Sequence, residues 1–210
     1  MAIISRRLTA YLWQSTETFF NNMKSIKASL TICLMFLLTG TYAQNLNQKW
    51  AEGLSVEIDE FKKCRNTGEQ TINPCSKSIG KSFDLVYGVN DFFNREKSRY
   101  LTGTEINEFL QNSSKWTKIG LAFSQENLSK AQELANAGKA VLAIYMGEDN
   151  MGHVSIILPG ELTASGSWGL KVPNSASFFI NNPQQSYSDK ALSYAFTRNM
   201  IKGVLIYSRN

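Results

Sequence analysis

The stretch Ala140-Val141-Leu142-Ala143-Ile144-Tyr145-Met146-Gly147-Glu148-Asp149-Asn150-Met151-Gly152-His153-Val154-Ser155-Ile156-Ile157-Leu158-Pro159-Gly160 holds the decisive pattern for the fold. Two apolar runs, 140–146 and 153–158, flank a segment of turn-forming residues, so an antiparallel hairpin is the economical connection. Further strands are expected at 170–172, 176–180 and 203–208. Toward the N-terminus the period changes. Ser124 is placed to cap a helix that turns Leu128, Ala131, Leu134 and Ala135 inward and stops at Gly138, with Glu126 suited to the helix dipole. Between 90 and 123 the pattern supports a short helix opened by Thr104, over 105–110, and a strand or turn over 116–121.

Two more helices precede these. Asn73-Pro74-Cys75-Ser76 reads as a helix start: Asn73 can cap the free amides, and Pro74 suits the first position because its missing N–H would have no partner there. Ile79, Phe83, Val86 and Tyr87 follow at helical spacing, with Gly88 as the stop. Leu46, Trp50, Leu54, Ile58 and Phe61 mark one stripe of an earlier helix, broken by the polar stretch 65–71. Helices in front and strands behind give an α+β class, with N-terminal helices packed on an antiparallel β-sheet.

The first fifth of the chain is of another kind. From Met23 the sequence has a basic start (Lys24, Lys27), an apolar run over 30–38 and a small-residue exit at Thr41-Tyr42-Ala43, the layout of a secretory signal peptide. A spanning helix would need roughly 20 apolar residues, which the dilution by Thr39, Gly40 and Thr41 does not allow. The expected organisation is an upstream extension over 1–22, a signal peptide over 23–43 and one exported domain over 44–210, periplasmic or secreted. No membrane association is expected once the signal is removed.

The chain has 210 residues and a formal charge of +5. Losing Arg6, Arg7, Lys24 and Lys27 together with Glu17 brings the charge to about +2. No run of Lys and Arg interleaved with aromatics occurs, so nucleic acid is not an expected partner. No glycine signature for phosphates and no Gly-x-Ser-x-Gly elbow is present. One histidine and three cysteines lack the spacing of a metal site, so no metal or other cofactor is expected. The carboxylate pairs Glu57/Glu60 and Glu105/Glu108 fall at helical spacing and read as a solvated face rather than as glycosidase acids.

That leaves a thiol and an imidazole. Cys75 in a first helical turn would feel the positive end of the helix dipole and several free amides, which favour thiolate and could stabilise an oxyanion. His153, the single histidine, opens a strand, a rigid base for a proton acceptor. A competing fate is open to the same sulfur. Exported chains favour disulfides, and Cys64 lies close enough in sequence to bridge to Cys75, permanently or reversibly.

Asn73-Pro74-Cys75 entering a helix, the run 135–143, and Gly152-His153-Val154-Ser155-Ile156-Ile157-Leu158-Pro159-Gly160 resemble, in their order and spacing, the NlpC and CHAP group of papain-like peptidoglycan amidases. The likeness covers roughly 73–207. It implies a papain-like fold and a cysteine peptidase activity on peptidoglycan peptides, with Cys75 as nucleophile and His153 as base. A polar residue after the histidine strand would orient the imidazole; Asn174 stands about there, with Ser175 and Asn181 as rivals, and the chain has no Asp or His at that place. Similar wall amidases serve as antibacterial effectors paired with an immunity or inhibitor protein, which the likeness implies as a partner. The alternative is a non-catalytic module that binds cell wall or a partner, with Cys64 bonded to Cys75. The hydrolase reading requires folding to bring the sulfur of Cys75 to the imidazole of His153. Tyr87 and Trp168 could line a groove, although large aromatics more often belong to the core.

Overall fold

Apolar residues at helical spacing early and at strand spacing late produce an α+β fold in the computed structural model, which describes residues 46–66, 72–148 and 152–210. The upstream extension and signal peptide expected over 1–43 lie outside the described residues. Among those described, no helix is long and apolar enough to cross a membrane.

Helix α1 (Trp50–Lys63) buries Leu54, Ile58 and Phe61 as its stripe predicts. It also buries Glu57, expected on a solvated face. Because α1 packs against α2 (Lys77–Tyr87), Glu57 points at the neighbouring helix and pairs with Lys81 there. Before α2 comes a 3₁₀ turn, Pro74–Ser76, and at its end Gly88 takes the left-handed conformation, φ 62°. Helix α3 (Gly103–Asn112) starts earlier than the Thr104 opening predicts. Thr102 is the cap, its hydroxyl accepting from the Glu105 amide at 3.3 Å while the Glu105 carboxylate accepts from the Thr102 amide at 2.9 Å. This reciprocal pair satisfies two end amides at once. Helix α4 (Gln125–Asn136) begins at the Ser124 cap and buries Leu128, Ala131 and Ala135; Gln132 is buried with them, while Leu134 is only partly covered.

Six strands form one sheet in the order β3-β10-β4-β5-β8-β9, every neighbouring pair antiparallel. They are β3 (Trp116–Leu121), β4 (Val141–Met146), β5 (Gly152–Ile157), β8 (Asn174–Ser177), β9 (Tyr187–Ala191) and β10 (Leu205–Arg209). The expected hairpin is β4–β5, with Tyr145 opposite His153. Two small hairpins lie outside this sheet: β1 (Phe93–Asn94) with β2 (Arg99–Tyr100), and β6 (Thr163–Ser165) with β7 (Leu170–Val172). Strand β9 escapes the sequence pattern because Tyr187-Ser188-Asp189-Lys190-Ala191 is polar, as an edge strand with one neighbour can be.

The sheet is covered on both faces. Leu142, Ile144, Val154, Ile156 and Phe178 face the helical layer of α1, α2 and α3, in one core with Phe61, Cys75 and Phe83. Val141, Ala143, Ile157 and Ile206 face the other way, in a second core with Ala131 of α4, Trp168 and Phe196. Strand residues therefore alternate between two apolar environments, which explains why β4 and β5 read as continuous hydrophobic runs. Tyr87 and Trp168 belong to these cores. The Tyr87 hydroxyl donates to the Ile157 carbonyl, and the Trp168 indole N–H donates to the Phe196 carbonyl at 3.1 Å.

Candidate functional site

The N-terminal approach to α2 is built as its sequence suggests. Asn73 Oδ1 accepts from the Cys75 amide at 2.9 Å, and the Ser76 hydroxyl donates to the Asn73 carbonyl at 2.7 Å. Cys75 sits in the 3₁₀ turn ahead of the helix rather than in the first α-turn, and it is buried. Its sulfur is bonded to Cys64, the residue that ends α1. Among the fates open to Cys75, the structure shows the disulfide. The bridge ties the two N-terminal helices together and borders a surface cavity of about 300 Å³ that Arg65, Pro183 and Gln184 also line.

His153 lies near the start of β5. By alternation it shares a face with Ser155 and Ile157, away from the α2 side. Its Nε2 is 2.8 Å from the Ser177 hydroxyl; its ring stacks on Phe179 with centroids 4.9 Å apart and meets Phe196 edge-on at 5.2 Å. Burial lowers its pKa to about 4, so the imidazole is neutral near neutral pH.

The thiol and imidazole are thus not paired in this state: Cys75 packs in the core on one face of the sheet, and His153 projects from the other. Of the two, only His153 borders the space where the strands end; Cys75 does not, although Asn73 and Ser76 near it in sequence do. A cavity of about 680 Å³ wraps around the start of β5 and is bordered by Asn73, Ser76, Thr104, Tyr145, His153 and Asn181. Gly103 and Gly152 also line it and meet in a close backbone approach. A Cβ on Gly152 would come within 2.7 Å of the Gly103 carbonyl, so the residue before His153 packs directly on the N-terminus of α3.

Asn174 does not orient His153, which corrects its assignment. Its carbonyl accepts from the amide of Leu158, the residue just past β5 and five beyond His153, or roughly 17 Å at about 3.3 Å per residue. Its side-chain amide donates instead to the Pro159 carbonyl at 3.1 Å and to Asp189 at 2.8 Å. Ser175 is buried and bonds the Lys190 carbonyl at 2.9 Å. Of the three residues considered, Asn181 alone shares the cavity with His153. The contact to the imidazole comes from Ser177, which sequence reading passed over. Its signal was the alternation Ser175-Ala176-Ser177-Phe178 beside the histidine strand, readable only once the register Ser155 opposite Ser177 is known.

Among the described residues, no three His, Cys, Asp or Glu side chains converge as a metal site. The Glu105 carboxylate of the set-aside pair Glu105/Glu108 is engaged by Arg99 at 2.6 and 2.7 Å, which holds its pKa down at about 2. The chain matches no protein-family model and no curated protein.

Proposed function

We propose that this chain is an exported cysteine hydrolase of amide bonds in peptidoglycan, with Cys75 as nucleophile and His153 as base, and that the oxidised state described above, in which the sulfur is bridged to Cys64 and the two groups are apart, is an inactive resting form. The observation that carries the reading is the shared cavity: the cap and neighbour of Cys75, Asn73 and Ser76, border the same space as His153. The likeness to papain-like amidases supplies the substrate class, and the bridge to Cys64 accords with an oxidising compartment outside the cytoplasm.

Activity on this reading needs two exchanges. A dithiol must reduce the bridge to two thiols, becoming a disulfide itself, and the imidazole must leave Ser177, come round to the Cys75 side of the sheet and take the Cys75 proton, giving thiolate and imidazolium. The thiolate then attacks the peptide carbonyl carbon. The amine leaves with a proton from the imidazolium, and water cleaves the thioester to return acid and thiol. Amides at the start of α2 are the oxyanion donors. In an antibacterial setting, a cognate immunity or inhibitor protein would be expected to cover this cavity.

A second reading is favoured by specific contacts. With the sulfur bonded to Cys64 and the imidazole bonded to Ser177 on the opposite sheet face, the oxidised chain suits a module that binds cell wall or a partner without cutting it. One experiment separates the two. Purified protein is incubated with wall sacculi with and without a dithiol, and released peptides are read by mass spectrometry. The hydrolase requires release that appears on reduction and is lost in Cys75→Ala and His153→Ala. Sacculus binding without release under either condition replaces it with the second reading.

A further inference from the structure

The two halves of the Cys64–Cys75 bridge sit in different surroundings. Cys64 closes α1 and is partly exposed, whereas Cys75 is 3% exposed and packs in the first core with Phe61 and Phe178. Thiol exchange is a displacement: the incoming thiolate lines up behind the sulfur it attacks, opposite the sulfur that leaves, so access decides which is attacked. Both residues border the cavity of about 300 Å³, but core packing obstructs the approach to Cys75 and leaves Cys64 as the open end. The helix ends act in the same direction. Cys64 stands at the C-terminal end of α1, where the helix dipole disfavours thiolate, and Cys75 stands in the turn leading into α2, where the dipole favours it. A sulfur with the lower pKa leaves faster. Access and leaving ability therefore both select attack on Cys64 with departure of Cys75.

Arg65 sets the kind of thiol. Among the described residues lining this cavity it is the one charged side chain, and among the described residues it forms no ion pair. Its Nη1 donates to the carbonyls of Lys62 and Cys64 at 2.9 and 3.1 Å, which holds the guanidinium over the end of α1. Gln184 donates to the same Lys62 carbonyl at 3.1 Å and fixes another wall. The neighbouring ammonium groups of Lys62 and Lys63 are paired with Asp59 at 3.9 Å and Glu60 at 3.1 Å. We infer that Cys64 is a thiol-exchange site for a small thiol bearing a carboxylate, which it takes up as a mixed disulfide while Cys75 is released. The incoming thiolate bonds to Cys64 Sγ, and the bond to Cys75 breaks with its electron pair passing to Cys75 Sγ, which takes a proton from solvent. The incoming sulfur is oxidised and the Cys75 sulfur reduced. A dithiol would then close on itself and free Cys64 as well, whereas a monothiol in excess stops at the adduct. The exchange requires no hydrolysis; only its consequence, release of an unmodified nucleophile, rests on the proposed function.

Peptide mapping of the intact oxidised protein tests it. Thiols already free are blocked with N-ethylmaleimide, glutathione is added, and the reaction is stopped at early times with iodoacetamide. Mass spectrometry should find the glutathionyl group on Cys64 and the alkyl group on Cys75, about tenfold or more over the reverse arrangement. Cysteamine, a cationic thiol, is then compared with glutathione at equal thiolate concentration. The ratio of the glutathione rate to the cysteamine rate should fall about threefold in Arg65→Gln, and added salt should lower the same ratio in the wild type. Adduct on Cys75, an even distribution, or no exchange overturns the site, and a ratio unchanged in Arg65→Gln overturns the preference for a carboxylate. Exchange at Cys64 in protein that never cuts sacculi removes the hydrolase and keeps the site; cutting on reduction with the adduct on Cys75 does the reverse.

Discussion

His153 Nε2 stands 2.8 Å from the hydroxyl of Ser177, and the ring is stacked on Phe179, so a neutral imidazole is built into the second core. Desolvation by these aromatics is what lowers the histidine pKa from 6.5 to about 4. The unfolded chain therefore takes up a proton at higher pH than the folded one. Stability from this site is complete above about pH 6.5 and is lost as pH falls from there toward 4. In urea melts across that window, His153→Phe should remove most of the slope; an unchanged slope would assign the acid sensitivity elsewhere.

Ser177 is fully buried, so its loss cannot be compensated by bulk water. Ser177→Ala leaves the Nε2 atom of His153 without its partner and should cost about 1–3 kcal/mol of stability. Under the hydrolase reading it also releases the imidazole for the cavity. Reduced Ser177→Ala should then cut sacculi at least as fast as reduced wild type, despite melting at a lower temperature.

The bridge between Cys64 and Cys75 spans 11 residues in sequence. A loop of that size constrains the unfolded chain by about 2–3 kcal/mol, and Cys64→Ser should lower stability by that amount. The same variant carries Cys75 as a free thiol. It should cut sacculi without added dithiol, and its thiol should alkylate readily near neutral pH. Alkylation that proceeds only at strongly basic pH would deny the thiol its helix-start activation.

The elements that position this site were legible because each rested on a local rule. Asn73 and Pro74 announced the approach to α2, Ser124 announced α4, and the apolar runs announced β4 and β5. The site was less legible because it depends on register and face, which are long-range. Whether His153 points toward Cys75 or away is decided by a one-residue alternation that sets Val154 against α2 and His153 against Phe196. A resemblance in motif order carries no information about that choice. Asn174 illustrates the same limit: order along the chain puts it after the histidine strand, but antiparallel pairing puts it at that strand's other end. Glu57 looked solvated because spacing within α1 cannot show that α2 brings Lys81 against it.

The last prediction concerns the contact that fixes where β5 begins. Gly103 and Gly152 pack backbone to backbone, and a methyl on Gly152 would meet the Gly103 carbonyl at 2.7 Å and the Met146 sulfur at 3.0 Å. Neither backbone can give way alone, because Gly103 is in the first turn of the capped helix α3 and Gly152 is registered against Met146 in the sheet. Gly152→Ala should therefore cost about 1–3 kcal/mol, the usual penalty of overpacking. The strain should be relieved by displacing α3 from the mouth of the His153 cavity. In hydrogen exchange, the amides of α3 and the first residues of β5 should lose protection together while α4 keeps its own. Uniform loss across the chain would show that the glycine pair serves global packing and not the local placement of His153.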